Sequence, residues 1–280
     1  MNAIQKAILD VFLAFKKICD DNNLRYYAIG GTCLGAVRHG GFIPWDDDLD
    51  VVMPYADYVR FQQIVHDCDG KYQIVSPDTC LHYSENYSKL QNIETTFIEE
   101  RYSAFEDRFT GIYIDIFPVF GAPKNAFLRH LHIRKVLLLK IFNIVRRFPF
   151  SFLQGKKKAL KLMPFLTLLR FNFFSSLQTK LLAKYPFGCS NLVFFGWRDA
   201  PGRKNKKTYK NLFDYVDFAS GVEMPFEDTT IMIPIGYKNY LEKDFGDYMV
   251  MPAEEQRVSK HPTIIIDLNK SFNFYKKERN

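Results

Sequence analysis

The chain has 280 residues, 47% of them hydrophobic and 16% aromatic, which excludes a disordered or fibrous protein and leaves a packed globular one. Its net charge of +7 is segregated: 15 of the 38 basic residues lie between Ile116 and Arg198, where Asp and Glu are absent, so the remainder holds 23 basic against 31 acidic residues. Five scattered cysteines without a CxxC pair argue against a disulfide framework or a zinc site and fit a reducing cytoplasm; no charge-free apolar run reaches the roughly 18 residues that span a bilayer.

In chain order, Ile4, Ala7, Ile8, Val11, Phe12, Phe15 and Ile18 recur at three- and four-residue steps and predict an amphipathic helix that stops at Asp20-Asp21-Asn22-Asn23. Tyr26 to Ile29 reads as a strand, Gly30-Gly31-Thr32 as a turn, Cys33 to Arg38 as a short helix, and Leu49 to Met53 as a second strand. A helix follows Pro54, with strands at Tyr72 to Val75, Ser88 to Asn92, Thr95 to Glu99 and Gly111 to Phe117. This alternation predicts an α/β (α+β) fold around a mixed sheet. From about Lys124 to Lys184 the sequence turns helical, basic and rich in Leu and Phe. It reads either as a helical subdomain with solvated cations or as an element that meets an anionic membrane surface; no nucleic-acid module is present, and no nucleic-acid partner is expected.

Chemistry concentrates in GGFIPWDDDLDVVMP, residues 40 to 54, where Asp46, Asp47, Asp48 and Asp50 crowd the mouth of a strand. Like charges so placed call for a cation. Side chains two apart on a strand share a face, so Asp48 and Asp50 project together, Asp46 joins them if the strand starts early, and Asp47 points away. Two carboxylates on one face suit a hard divalent cation, Mg²⁺ or alternatively Mn²⁺. Asp115, alone in the apolar GIYIDIFPVF, is the candidate third carboxylate, the other reading being a turn cap before Pro118. Gly30, Gly31 and Thr32 let backbone approach an anion closely. The order strand, Gly-Gly-Thr, helix, Asp-Leu-Asp and a later Asp matches the nucleotidyltransferase arrangement.

The stretch YYAIGGTCLGAVRHGGFIPWDDDLDVVMP resembles the hallmark of the LicD family, a phosphocholine-transferase group related to fukutin and fukutin-related protein. KLQNIETTFIEE, GIYIDIFPVFGAP and FGDYMVMPAEEQRVSKHP are similar to its later blocks. Ala253 stands where that family commonly has a second proline, and Lys260-His261 where paired histidines are common. The resemblance covers residues 1 to 121 and 211 to 262, and divides the chain into a nucleotidyltransferase-like core (1–122), a basic helical insertion (123–200) and a C-terminal part completing the core (201–280).

The resemblance implies Mg²⁺-dependent transfer of a phosphorylated alcohol from a CDP-activated donor such as CDP-choline to a sugar hydroxyl of a cell-surface glycan or its lipid-linked precursor, releasing CMP, on the inner face of the membrane. Asp48 and Asp50 would hold the metal, with Asp46 in support; Asp115 would complete the metal site or accept the proton of the attacking hydroxyl. Backbone at Gly31 and Thr32, with Arg38 and Lys89, would neutralise phosphate, Trp45 would wall the alcohol headgroup, and Glu254, Arg257 and His261 would border the site. Two other readings use the same residues: a glycosyltransferase holding a nucleotide-sugar through Asp48-Leu49-Asp50, and a catalytically silent membrane adaptor.

Overall fold

The computed structural model describes residues 1–66, 70–77, 79, 83, 85–99, 111–147, 173–198, 209–259 and 263–279. Helix α1 (Ala3–Asp21) is fixed at its start by a reciprocal capping box, in which the Asn2 side chain accepts from the Gln5 N–H and the Gln5 side chain accepts from the Asn2 N–H. Its apolar stripe buries Ile8, Val11, Phe12 and Phe15, each contributing roughly 1.5–3 kcal/mol of transfer free energy. Strand β1 (Tyr27–Ala28) leads into α2 (Gly30–His39), β2 (Asp50–Pro54), α3 (Tyr55–His66), β3 (Tyr72–Val75), β4 (Ser88–Asn92), β5 (Thr96–Glu99) and β6 (Ile112–Gly121).

The sheet is mixed, as the alternation of elements predicts. Its order is β1-β2-β6-β4-β3, with β2 parallel to β6 and the other pairs along that path antiparallel. All ten residues of β6 are buried, and β6 runs on through Pro118, which is register partner to Met53. The strand therefore does not end before Pro118, and Asp115 is a mid-strand residue rather than a turn cap.

The sheet also reaches into the basic middle. After α4 (Ala126–Arg147) and α5 (Phe173–Leu182), β7 (Leu192–Phe194) pairs with the end of β6, and β8 (Leu212–Asp214) pairs with β7. Helices α4 and α5 enclose a satellite core of Ile133, Val136 and Leu182 with Phe120, Phe194 and Leu212. The chain continues through α6 (Tyr215–Phe218), a β9 (Gly221–Phe226) and β10 (Thr229–Pro234) hairpin, α7 (Tyr237–Phe245), β11 (Thr263–Asp267) and α8 (Phe272–Arg279). β11 pairs with β5, so that predicted strand lies outside the main sheet. Phe226, Ile231, Ile233, Tyr240 and Leu241 join Phe12, Tyr27 and Val52 in the main core, so residues beyond 210 pack on the same body as the first 120. Among the described residues no helix is long and apolar enough to cross a membrane.

Candidate active site

The site forms where three neighbouring strands bring unlike charges into register. Asp50 on β2 stands beside Asp115 on β6, and Lys89 on β4 is the register partner of Asp115 on its other side. Lys89 Nζ lies 2.6 Å from Asp115 Oδ1, with 1% and 8% of the two side chains exposed. The Lys89 ammonium also sits 3.4 Å from the centroid of Tyr113, two residues earlier on the same face of β6. The Tyr113 hydroxyl in turn donates to buried Glu99.

The strand begins at Asp50, one residue later than the Leu49 start expected, so Asp48 lies in the segment just before β2. The segment is nevertheless tied down: Asp115 N–H donates to Leu49 O at 2.9 Å, Ile29 N–H to Asp50 O at 3.1 Å, and Asp50 N–H to Thr32 Oγ1 at 2.8 Å. Leu49 is fully buried, so its neighbours Asp48 and Asp50 emerge on the opposite side. Thr32 thus positions Asp50 with its hydroxyl.

Gly30 and Gly31 are the first residues of α2, not a turn ahead of it. Gly30 adopts φ +57°, and a Cβ there would come 3.4 Å from Asp50 Oδ2; a Cβ on Gly31 would come 2.3 Å from Asp46 Oδ2. The two glycines therefore let the Asp46 and Asp50 carboxylates close on the helix start, where peptide dipoles and first-turn N–H groups favour negative charge. One of those N–H groups is taken: Gly30 N–H donates to Tyr240 Oη of α7 at 2.8 Å.

Burial pushes the Asp50 carboxyl well above its ordinary range, and the nearby charges of Asp48, Asp115 and Asp46 add to the rise. Burial raises Asp115 as well, against the pull of Lys89. Asp50 Oδ1 is sealed from solvent and has no hydrogen-bond partner. Such an atom among like charges fits a cation ligand. Among the described residues no three His, Cys, Asp or Glu side chains form a ready-made metal cage. Mg²⁺ commonly takes only one or two carboxylates, with waters and substrate phosphates completing its shell, so the lack of a three-ligand cage is compatible with such an ion at Asp50.

The remaining predicted residues divide. Arg38 is at the far end of α2, about 12 Å along the helix axis from Gly30. Its guanidinium donates to Tyr248 O at 2.9 Å, tethering the segment after α7 instead of reaching the carboxylates. Trp45 is half-buried, with the His39 ring against it and the Arg257 guanidinium 5.7 Å from its centroid. That cation occupies part of the aromatic surface expected to face an alcohol headgroup. Glu254–Gln256 is a single 3₁₀ turn; Glu254 is exposed and 4.0 Å from Arg257 Nη1. The C-terminal block meets the acidic loop through Arg257 over Trp45 and through Ser259 Oγ, which donates to Asp47 Oδ2 at 2.6 Å. Asp47 therefore anchors that block. His261 lies outside the described residues.

Three contributors escape a reading of the sequence. Gln5, besides capping α1, donates from Nε2 to Asp46 O at 2.8 Å and Ile43 O at 3.1 Å, so the first helix holds the acidic loop. Tyr240 caps the Gly30 amide from 210 residues away. Arg198 forms a two-pronged pair with Asp244, at 2.6 and 2.5 Å. Burial alone would lower the Arg198 pKa, but Asp244, Tyr240 and Asp50 together hold it above its ordinary value, so this guanidinium is electrostatically coupled to the acidic site. The capping pattern Asn2-x-x-Gln5 is visible in the sequence. The long-range partners of Gln5, Tyr240 and Arg198 are not.

Comparison with known proteins agrees with this architecture. The family description LicD/FKTN/FKRP, nucleotidyltransferase domain, matches residues 23–164. Haemophilus influenzae lipopolysaccharide cholinephosphotransferase LicD is 26% identical over 263 residues, covering 92% of this chain and 94% of that protein. Two uncharacterised rickettsial proteins match shorter stretches: one from Rickettsia typhi is 42% identical over 64 residues, 22% of this chain and 21% of its own. One from Rickettsia prowazekii is 31% identical over 109 residues, 39% of this chain and 37% of its own.

Proposed function

Since the chain belongs to the LicD family, we propose that it transfers a phosphorylated alcohol, phosphocholine in the first instance, from a CDP-linked donor to a hydroxyl of a cell-surface glycan such as lipopolysaccharide or its lipid-linked precursor. The observation that carries this reading is the near end-to-end match to a lipopolysaccharide cholinephosphotransferase. The buried Lys89, Asp115 and Asp50 arrangement supports it from the side of chemistry.

In this reading the acceptor oxygen attacks the phosphorus that bears the alcohol, the bond to the bridging oxygen breaks, and CMP leaves with that bond's electrons. The hydroxyl proton passes to a carboxylate or to solvent. Asp48 and Asp50 would hold Mg²⁺, or Mn²⁺ in its place, which when bound neutralises charge on the pyrophosphate. Asp115 is suited to take the proton: its pKa is raised by burial, which strengthens it as a base, and Lys89 fixes its Oδ1. Gly31 and Thr32 present first-turn amides to the phosphate side, and Arg198 adds positive potential. The orphaned Asp50 oxygen favours this metal-bridged chemistry over a silent adaptor, which would have no need of a raised, unpartnered carboxylate.

A panel of CDP-choline, CDP-ethanolamine, CDP-glycerol and CDP-ribitol, each with Mg²⁺ and a glycan acceptor, tests the reading by CMP release. CDP-choline should be turned over fastest. Release of a nucleoside diphosphate from a nucleotide-sugar, with none of the four CDP-alcohols used, would replace it with glycosyl transfer.

A further inference from the structure

Helices α4 and α5 enclose a groove of about 300 Å³ on the outer side of the satellite core, at the lower end of the volumes of small-molecule sites. Leu138 and Leu139 from α4 and Leu177 and Leu181 from α5 line it. Leu138 is 51% exposed and Leu177 43%. Lys135, Lys180 and Lys184 complete the wall, and all three are exposed. No acidic residue occurs between Ile116 and Arg198, so neither helix supplies these lysines with a carboxylate. The apolar surface continues along α4 through exposed Leu128 and Leu131, which with Leu138 follow the spacing of one helix face.

This combination is specific about its occupant. A nucleic acid would satisfy the lysines and leave the leucine wall facing water. A second copy of the chain meeting groove to groove would bring cations against cations. Residues 148–172 contain Lys156, Lys157, Lys158, Lys161 and Arg170 and no acid, so their sequence offers these lysines no counter-charge. We infer that the α4–α5 groove is a site for an anionic phospholipid of a bilayer surface, its acyl chain along the leucines and its phosphate on Lys135, Lys180 and Lys184. The anionic surface expected along residues 124–184 thereby narrows to one groove. The inference does not rest on the transferase reading, and Asp50→Ala protein should bind lipid as the parent does.

The test is co-sedimentation of the full chain with vesicles of phosphatidylcholine alone and of phosphatidylcholine mixed with phosphatidylglycerol. Partitioning should favour the mixed vesicles by tenfold or more. Lys135→Glu/Lys180→Glu/Lys184→Glu should weaken it about 100-fold, each lysine contributing about fivefold. Leu138→Asn/Leu177→Asn, at exposed positions and with charge unchanged, should weaken it about tenfold. Equal partitioning onto the two vesicles would overturn the inference, as would either variant binding like the parent. So would a leucine variant that turns a dimer into a monomer without affecting vesicle binding, since the groove would then be an interface between copies. A readout that needs no variant is calorimetry with lysophosphatidylglycerol below its micelle concentration: it should saturate near one per chain while inorganic phosphate gives no heat, and equal binding of the two would reduce the site to a simple anion patch.

Discussion

Lys89 and Asp115 form a buried ion pair across neighbouring strands, Nζ to Oδ1 at 2.6 Å, beside Asp50, whose Oδ1 is buried without a hydrogen-bond partner. The pair divides the acidic site in two. Asp115 has its counter-charge in Lys89, whereas Asp50 Oδ1 is buried with no hydrogen-bond partner and is the place proposed for a cation.

Removing the ammonium should therefore do more than weaken the fold. Lys89→Met leaves a buried carboxylate uncompensated, a loss typically of about 3–5 kcal/mol, which chemical denaturation would measure. It also raises the Asp115 pKa further, because the pull of Lys89 is the main influence now opposing burial. If Asp115 must be ionised to act, the acid limb of the pH–rate profile moves to higher pH in the variant. An acid limb at the parental position would remove Asp115 from the proton-transfer step.

Asp50 predicts a conflict between stability and function. Its folded pKa is raised above the ordinary value of 3.8, so the protonated form favours the folded state. Its contribution is complete below that value and is lost as pH rises through the raised one. Without metal, Asp50→Asn should be more stable than the parent at neutral pH, by about 2–4 °C in Tm per kcal/mol of repulsion removed, and the advantage should vanish in acid. Mg²⁺ should raise the Tm of the parent and not of the variant. Scanning calorimetry with and without the ion separates these outcomes, and equal Mg²⁺ stabilisation of both proteins would count against Asp50 as a ligand.

Gly31→Ala places a methyl where Asp46 Oδ2 now lies, 2.3 Å from the new carbon. The obstructing atom is the tip of a side chain, so the fold should survive, with stability changed by about 1 kcal/mol or less. The carboxylate must move, and a displacement of about 1 Å can cost on the order of 100-fold in turnover. A large drop in kcat with an unchanged Tm is the expected pattern.

Arg198→Lys keeps the charge but gives up the two-pronged contact with Asp244. Turnover should fall about tenfold or more if the fixed guanidinium stabilises charge developing at the site. A variant with parental kcat and reduced stability would make Arg198 a scaffold residue only.

Much of this arrangement can be read from local sequence. The Asn2-x-x-Gln5 cap, the apolar steps of α1, strand β4 to the residue, and Asp115 as the single charge in an apolar strand all depend on near neighbours. The same locality explains the misplacements. Asp48 alternates with Asp50 in sequence, but the strand starts at Asp50, two residues too late to include it. Arg38 is a cation near the glycines in sequence, yet the rise of α2 carries it to Tyr248. Lys89 invites a phosphate partner until β4 and β6 are put in register. Tyr240 and Arg198 serve the site only because α7 packs against α2 and β7 extends the sheet beside β6, associations that no pattern along the chain encodes.

The most direct test of phosphoryl-alcohol transfer follows the phosphorus. CDP-choline carrying ³²P in the phosphate next to choline is incubated with Mg²⁺, lipopolysaccharide acceptor and either the parent or Asp50→Ala protein, and label is counted in acceptor and nucleotide. The label should appear in the acceptor with unlabelled CMP released in equal amount, and Asp50→Ala should give neither. Label that remains entirely with the nucleotide, or transfer undiminished in the variant, would contradict the account.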